Sequence, residues 1–281
     1  MSPEDPLPTD EDLDFFRENG YWLSPRLIGD DQIATLRRAH DALFRAERDF
    51  DVCGFWGPLE PAPADGPELR QCNNGWWFNA AVRKLVTAPL IGAIAARLLQ
   101  TSEVRLWHDQ VLSKPGLGPQ APSRAGNVGW HQDYRSWKAS TTPRMLTANV
   151  VLQDTDLALG AMQVIRGSHK WGLIEGKGGF SNPDLEKLKA QYLAEGRGWD
   201  PVTCKLGAGC ASFHHSLTIH GSGPNLCTAP RLSIAIHLQS ANCAYSGHWH
   251  SNVMGLGPNA RVGQLFTGDW WPLLWRTGHP S

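Results

Sequence analysis

From Glu103 onward, the sequence is divided into short segments rich in β-forming residues, each ended by turn-forming residues. The segments read VRLWHDQVLSK, MLTANVVLQ, AMQVIRGS, GCASFHH, SLTIHGSG and RLSIAIHLQ. Strands that alternate with turns, rather than with helices, are typical of antiparallel sandwiches and barrels. The pattern therefore predicts a mainly β fold and disfavours a parallel α/β sheet.

The first hundred residues show a different pattern, with apolar residues at helical spacing. Thr9 is a candidate N-cap for a first helix, and a second helix begins at Asp30 or Asp31. Residues 80–99 also have helical spacing, with a break at Pro89. We expect these helices to flank the β core.

Between the second helix and residues 80–99, the segment 49–74 is rich in proline and glycine, which predicts a long irregular segment. Such a segment either contributes to a functional site or is a peripheral insertion. We expect a single domain over 1–281, with a mostly helical part, 1–100, packed on a β-barrel core with a C-terminal tail, 101–281. The tail segment 268–275 either covers the pocket or packs the end of the barrel.

The composition disfavours several classes of protein. Lys and Arg number 26 and Asp and Glu 27, so no basic surface suggests nucleic-acid binding. The six cysteines include no C-x-x-C pair, which disfavours a zinc cluster. The chain has no signal-peptide pattern and no apolar run long enough for a membrane span. We expect a cytoplasmic enzyme, monomeric or homodimeric, that acts on a small molecule and binds neither membrane nor nucleic acid.

The segment GWHQDYRSW contains candidate metal ligands. In an extended strand, His131 and Asp133 point to one face and Gln132 points away. His220, in SLTIHGSGPN, is the best candidate for a third ligand. Two histidines and one carboxylate leave coordination sites open for a co-substrate and dioxygen, as in mononuclear iron oxygenases. The alternative is that this histidine and aspartate lie on a surface loop.

Arg231 lies eleven residues beyond His220, at the start of the segment RLSIAIHLQ. A dicarboxylate co-substrate that chelates iron at one end needs a fixed cation at the other. The planar guanidinium of arginine pairs a carboxylate in bidentate fashion. We therefore favour a co-substrate contact for Arg231 over a solvated charge at a strand edge.

The order of these motifs resembles that of the phytanoyl-CoA dioxygenase family. The resemblance runs from about Val104 to Tyr245 and includes HDQVLSKPG, WHQD, LQDTD, MQVIRGSHKWG, IHGSGPN, the arginine and SANCAY. It implies a double-stranded β-helix, also called a jelly-roll or cupin-like barrel, with flanking helices. It also implies Fe(II) held by His131, Asp133 and His220, with Arg231 holding the distal carboxylate of 2-oxoglutarate and dioxygen as the oxidant.

The resemblance also assigns residues to the pocket wall. Gln110 lies where the family contacts the co-substrate, although it is equally an ordinary polar residue inside a barrel. Asn149 stands where the family often has tryptophan, and its amide is a candidate partner for the co-substrate or the substrate. Candidate substrate contacts directly follow the metal motif: Tyr134, Arg135 and Trp137.

Other histidines are poorer candidates for ligands. His169 is interpreted as a structural residue in a turn. His248 and His250 are interpreted as part of a loop over the mouth of the barrel or at its rim. His108 and one of the pair His214–His215 are expected to face the pocket as polar residues rather than as ligands.

Asp133 narrows the expected chemistry. Related halogenases have a small residue at this position, which leaves a site for halide. A carboxylate here therefore predicts hydroxylation of an unactivated carbon, or another oxidation without halogen transfer, with release of succinate and CO2. The alternatives are a cupin-like metal-dependent enzyme or binding protein that does not use 2-oxoglutarate, which Arg231 disfavours, and a metal-free binding module.

Overall fold

The computed structural model describes residues 6–50, 66–176 and 179–278. In this part of the chain the helices are α1 Asp10–Asn19, α2 Asp30–Phe44, α3 Ala80–Val86, α4 Pro89–Leu99 and α5 Leu185–Leu193. The strands are β1 Tyr21–Leu23, β2 Arg70–Asn73, β3 Glu103–Lys114, β4 Val128–His131, β5 Met145–Val151, β6 Gln163–Ile165, β7 Pro201–Thr203, β8 Ala211–His215, β9 His220–Ser222, β10 Arg231–Ser240 and β11 Leu273–Arg276.

The strands form two antiparallel sheets. The large sheet has the order β1-β8-β5-β10-β3-β11, and β2 also pairs with β3. The small sheet has the order β4-β9-β6-β7. Mainly antiparallel β structure with flanking helices is the architecture that the strand and turn pattern predicts.

One face of the large sheet packs against the N-terminal helices. Alternate residues of its central strands, such as Leu146, Ile234 and Ile236, lie in one apolar cluster with α2, α3 and α4 residues. Full burial of one such side chain is worth about 1.5–3 kcal/mol. This cluster covers one face of the sheet, and the opposite face carries polar side chains that line a cavity.

A β-bulge at Trp107 sets which residues of β3 face the cavity. The register against β10 jumps from His108–His237 to Leu106–Leu238, which leaves Trp107 as the extra residue. A bulge of this kind shifts the alternation of side chains by one. As a result His108, Gln110 and Leu112 all line the cavity between the sheets.

The helix boundaries agree with the spacing of apolar residues. Thr9 caps α1, and its hydroxyl accepts a hydrogen bond from the backbone N–H of Asp12 while the Asp12 carboxylate accepts from the Thr9 N–H. The second helix begins at Asp30, and the predicted break at Pro89 separates α3 from α4.

Two segments differ from the simplest expectation. The predicted irregular segment 49–74 ends in a strand, because Arg70–Asn73 pairs with Gln110–Ser113 of β3. Residues 51–65 of that segment lie outside the described residues. In the tail, Leu273–Arg276 pairs with β3 at Glu103–Arg105, and this segment is not part of the cavity wall. Among the described helices, none is both long and apolar enough to span a lipid bilayer.

Candidate iron and 2-oxoglutarate site

The small sheet brings together the three predicted ligands. His131 ends β4 and is the register partner of His220 at the start of β9. Asp133 begins the 3-10 turn that follows β4. Its Oδ1 lies 3.6 Å from His131 Nε2 and 3.5 Å from His220 Nε2. One atom of each side chain therefore faces a common point.

Backbone carbonyls set the orientation of both imidazoles. His131 Nδ1 lies 2.8 Å from the Gly129 carbonyl oxygen, and His220 Nδ1 lies 3.0 Å from that of Thr218. A carbonyl only accepts, so each Nδ1 carries the proton and donates. Each neutral ring then presents the Nε2 lone pair towards Asp133, which is the tautomer that a metal-binding histidine needs.

The second carboxylate oxygen of Asp133 has partners from the large sheet. Its Oδ2 accepts a hydrogen bond of 2.7 Å from the Thr147 hydroxyl and lies 3.2 Å from His214 Nε2. Burial alone would raise the pKa of Asp133, but the nearby histidines, His220 foremost, lower that pKa well below its ordinary value. Asp133 is therefore a carboxylate whose Oδ1 faces the two imidazoles.

Burial and the neighbouring imidazoles of His131 and His214 hold the pKa of His220 well below its usual range. His220 is consequently neutral at physiological pH. Together with the ionised Asp133, this is the protonation state in which such groups bind a metal.

A row of polar side chains on the large sheet faces this triad. Cross-strand registers place four residues side by side: His214, Thr147, His237 and His108. Thr147 Oγ1 lies 2.8 Å from His237 Nδ1, and His237 Nε2 lies 3.3 Å from Gln110 Oε1. Consecutive polar contacts through Thr147 and His237 therefore link Asp133 to Gln110.

The triad and this row enclose a cavity of about 380 Å³. Phe180 closes one side, with its ring centroid 5.2 Å from that of His131. Its segment approaches β4 closely at Gly129, where a Cβ would lie 2.1 Å from the Gly179 carbonyl oxygen. Only glycine permits that approach, so a small residue in β4 shapes the wall beside a predicted ligand.

The predicted co-substrate residues line the same cavity. Gln110 and Asn149 both contribute to the wall, and Gln110 Nε2 donates a 3.0 Å hydrogen bond to Asn73 Oδ1. Arg231 also lines it and is 6% exposed. Its Nη1 donates to the Gly160 carbonyl, while its Nε has no hydrogen-bond partner among the described residues. Burial lowers the pKa of Arg231 to about 10, so the guanidinium stays charged.

The three predicted substrate residues occupy different places. Trp137 lines the cavity, with its ring centroid 4.8 Å from that of His237. Tyr134 and Arg135 do not belong to the cavity wall. The Tyr134 hydroxyl donates a 2.8 Å hydrogen bond to the Ser140 carbonyl, so it is held away from the cavity. Substrate contact by Tyr134 and Arg135 stays a prediction.

The remaining histidines also separate into two groups. His108, His214 and His250 line the cavity. His250 therefore contributes to the cavity wall. His169 does not belong to the described cavity wall, and its Nε2 lies 3.1 Å from the Arg17 carbonyl.

The comparisons with known proteins agree with this geometry. The model of the phytanoyl-CoA dioxygenase family matches residues 16–233. The chain belongs to the phytanoyl-CoA dioxygenase family. It is 27% identical over 259 residues to an ectoine dioxygenase of Streptomyces avermitilis, across 85% of this chain and 81% of that relative.

Two solved structures show the same fold. The 2-oxoglutarate-dependent carbocyclase SnoK from nogalamycin biosynthesis superposes with a TM-score of 0.69 at 22% identity, over 95% of this chain and 96% of SnoK. The epimerase SnoN, solved in complex with Fe³⁺, 2-oxoglutarate and nogalamycin RO, superposes with a TM-score of 0.67 at 25% identity. That match covers 94% of this chain and 98% of SnoN.

Family membership confirms the predicted jelly-roll fold and the predicted enzyme class. The protein is a non-heme dioxygenase that uses iron, 2-oxoglutarate and O2. The alternative of a cupin-like protein independent of 2-oxoglutarate is not favoured.

The donor set fits the iron of this family. In residues 6–50, 66–176 and 179–278, the group of potential ligands that converges is His131, Asp133 and His220. Two imidazole lone pairs and a carboxylate oxygen at 3.5–3.6 Å repel one another unless a cation lies between them. Nitrogen and oxygen donors in this ratio suit non-heme Fe(II).

The sequence prediction missed the residues that support the ligands from the large sheet. Thr147 and His237 were not singled out, although each lies two residues from a cavity residue of its own strand, Asn149 and Ala235. The period-two alternation along β5 and β10 was therefore an available signal. It shows which side chains share a face, but not that Thr147 reaches Asp133.

Proposed function

We propose that this dioxygenase hydroxylates an unactivated carbon of a small molecule, with Fe(II) held by His131, Asp133 and His220. The observation that carries the proposal is the fixed orientation of all three donors. Both imidazoles are oriented by carbonyls, and Asp133 Oδ2 is occupied by two partners, which leaves Oδ1 for the metal. A preorganised donor set of this kind needs little rearrangement to bind iron.

Arg231 would hold the distal carboxylate of 2-oxoglutarate. Its buried guanidinium lines the cavity and has an unpartnered Nε, which suits a bidentate pair with a carboxylate. Gln110 and Asn149 lie at the register of Ala235, two same-face positions along β10 from Arg231 and closer to the triad. Their amides would contact the co-substrate along its length.

The substrate would occupy the part of the cavity walled by His108, His237, His250 and Trp137. Burial and neighbouring imidazoles lower the pKa of His108 well below its usual range, and burial lowers those of His237 and His250 to about 4. These imidazoles are therefore neutral at pH 7. Within the described wall the charged residues are Asp133 and Arg231, so the wall favours an uncharged, hydrogen-bonding small molecule.

Iron bound here would supply the oxidative decarboxylation of 2-oxoglutarate to succinate and CO2, with one oxygen atom of O2 inserted into a C–H bond of the substrate. The chain itself orients the reactants and excludes water. His250 Nδ1 accepts a 3.1 Å hydrogen bond from the Asn252 N–H, so its Nε2–H is the donor available to the substrate. Because Asp133 fills the position that halogenases leave to halide, we propose hydroxylation rather than halogen transfer.

The test is an anaerobic titration of Fe(II)-loaded protein with 2-oxoglutarate, followed by succinate assay in air. We expect a saturable visible charge-transfer band, and succinate formation that Asp133→Ala abolishes because one donor is lost. Asp31→Ala, an exposed change in α2, is the matched control and should behave as wild type. Full succinate formation by Asp133→Ala would refute the ligand assignment. A screen of uncharged small molecules for stimulated succinate release then addresses the substrate.

We also propose that residues 1–281 form one oxygenase domain and that the protein works in the cytoplasm as a monomer or homodimer. The cysteines of the described residues are free thiols, at positions 72, 204, 210, 227 and 243, which supports a reducing compartment. Size-exclusion chromatography with light scattering tests the oligomeric state.

A further inference from the structure

A buried lysine lies beside Arg231, one of the residues that line the cavity. Lys114 is the last residue of β3, and its side chain is 0% exposed. Its Cα is the direct register partner of Arg231 in β10. Residues directly opposite each other in an antiparallel pair point to the same face of the sheet. Lys114 thus continues the face of Gln110 and Leu112, which line the cavity.

The two cations share their surroundings. The Lys114 ammonium donates to the Gly223 carbonyl, and the Arg231 guanidinium donates to the Gly160 carbonyl. A Cβ built on Gly160 would lie 3.1 Å from Lys114 Cδ, so the lysine stem passes directly beside that residue. Both side chains therefore lie beside the backbone at Gly160, where β3 ends and β10 begins.

Neither cation is balanced by an acidic side chain. The ion pairs of residues 6–50, 66–176 and 179–278 include no partner for Lys114 or Arg231. Burial, and then the charge of Arg231, lower the pKa of Lys114 to about 6. Without an anion, Lys114 therefore loses its proton more readily than an ordinary lysine, and a carboxylate bound beside it would favour the charged ammonium.

We propose that Lys114 is a second cation for the distal carboxylate of the co-substrate and makes the site selective for dicarboxylate over monocarboxylate 2-oxo acids. This inference rests on the proposed function of Arg231. Lys114 is a positioning residue, since it lies behind the cavity wall and acts on the carboxylate through the positive charge that it adds beside Arg231.

Two ligands separate this role from a general structural one. 2-Oxoglutarate and 2-oxovalerate have the same carbon chain and the same iron-chelating end, but only 2-oxoglutarate carries a distal carboxylate. Each would be titrated into anaerobic Fe(II)-loaded wild type, Lys114→Met and Lys114→Gln. The charge-transfer band and the ligand-induced rise in Tm give the dissociation constants. Lys84→Met removes an exposed lysine of α3 and is the matched control.

We expect Lys114→Met to weaken 2-oxoglutarate binding about tenfold or more, because the distal carboxylate loses one of two positive charges beside it in a buried site. Its affinity for 2-oxovalerate should change less than about threefold, because that ligand makes no contact with the cation pair. In turnover, the KM for 2-oxoglutarate should rise and kcat should change little. Lys84→Met should match wild type with both ligands.

Three results would overturn the proposal. The first is equal loss of affinity for both ligands, which indicates a structural role. The second is unchanged 2-oxoglutarate affinity in both Lys114 variants while wild type binds normally, which leaves the proposed function intact. The third is failure of both variants to fold, which indicates a structural role for Lys114 through its hydrogen bond to the Gly223 carbonyl. If wild type itself shows no band with 2-oxoglutarate, the proposed function fails, and this inference fails with it.

Discussion

Replacing Thr147 by valine removes one hydroxyl from beside the proposed iron site and leaves the shape of the side chain almost unchanged. Thr147 is 2% exposed, so water has little access to replace the lost group. Its hydroxyl is 2.7 Å from Asp133 Oδ2 and 2.8 Å from His237 Nδ1. Valine suits a buried strand as well as threonine does, so β5 should keep its conformation.

The size of the effect follows from the charge on Asp133. A hydrogen bond to a charged group contributes about 1.5–3 kcal/mol. If that stabilisation holds the carboxylate in its metal-binding orientation, its loss weakens iron binding roughly tenfold to a hundredfold. His214 Nε2, 3.2 Å from the same oxygen, would keep part of the orientation, which favours the lower end of this range.

The assay is anaerobic calorimetric titration of the metal-free protein with Fe(II), repeated with Mn(II). Thr155→Val is the matched control, because Thr155 is also buried, at 4% exposed, and among the described residues its hydroxyl contacts the Cys204 and Leu206 carbonyls, at 3.5 and 3.4 Å. The control should bind metal as wild type does. If Thr147→Val bound Fe(II) within about threefold of wild type, the proposed support of Asp133 from the large sheet would be wrong.

Two further predictions concern stability. Burial raises the pKa of Asp109 to about 7, so the folded protein holds a proton that the unfolded chain releases near pH 4, and stability should fall as pH rises through that window. Urea unfolding between pH 4 and 7 should show a slope of at most about 1.4 kcal/mol per pH unit from this group, which Asp109→Asn removes; the same slope in both proteins would contradict this. Gln132→Leu should cost about 2–4 kcal/mol, because the Gln132 side chain bonds the Ile174 N–H and the carbonyls of Gly172 and Leu217. A loss below about 1 kcal/mol in urea unfolding would contradict that role.

Local sequence patterns were sufficient for much of the fold. The segment RLSIAIHLQ predicts a strand because β-branched and apolar residues dominate it, and it forms the central strand β10. Thr9, the Asp30–Asp31 pair and Pro89 predict helix boundaries because capping and proline geometry act over a few residues. These features depend on neighbours in sequence, which the sequence shows directly.

Other features depend on contacts between distant residues. The bulge at Trp107 exists because β3 must pair with β10 on both sides of it, and no residue type near position 107 requires it. The same holds for Thr147 and His214, whose contacts with Asp133 span 14 and 81 residues. Alternation shows that a side chain faces the cavity, but only the packing of the two sheets shows what it touches there.

The two sheets contribute different residues to the site, and the register of β10 fixes the positions of those on the large sheet. The small sheet carries His131 and His220, whereas the large sheet carries the row that supports Asp133. Strand β10 contributes to both ends of the large-sheet face, with His237 beside Thr147 and Arg231 beside Lys114. A shift of β10 by one residue would turn Ile236 into the cavity and both polar side chains into the apolar core. The hydrophobic contacts that fix this register therefore also hold the proposed iron support and the proposed carboxylate site at a constant separation.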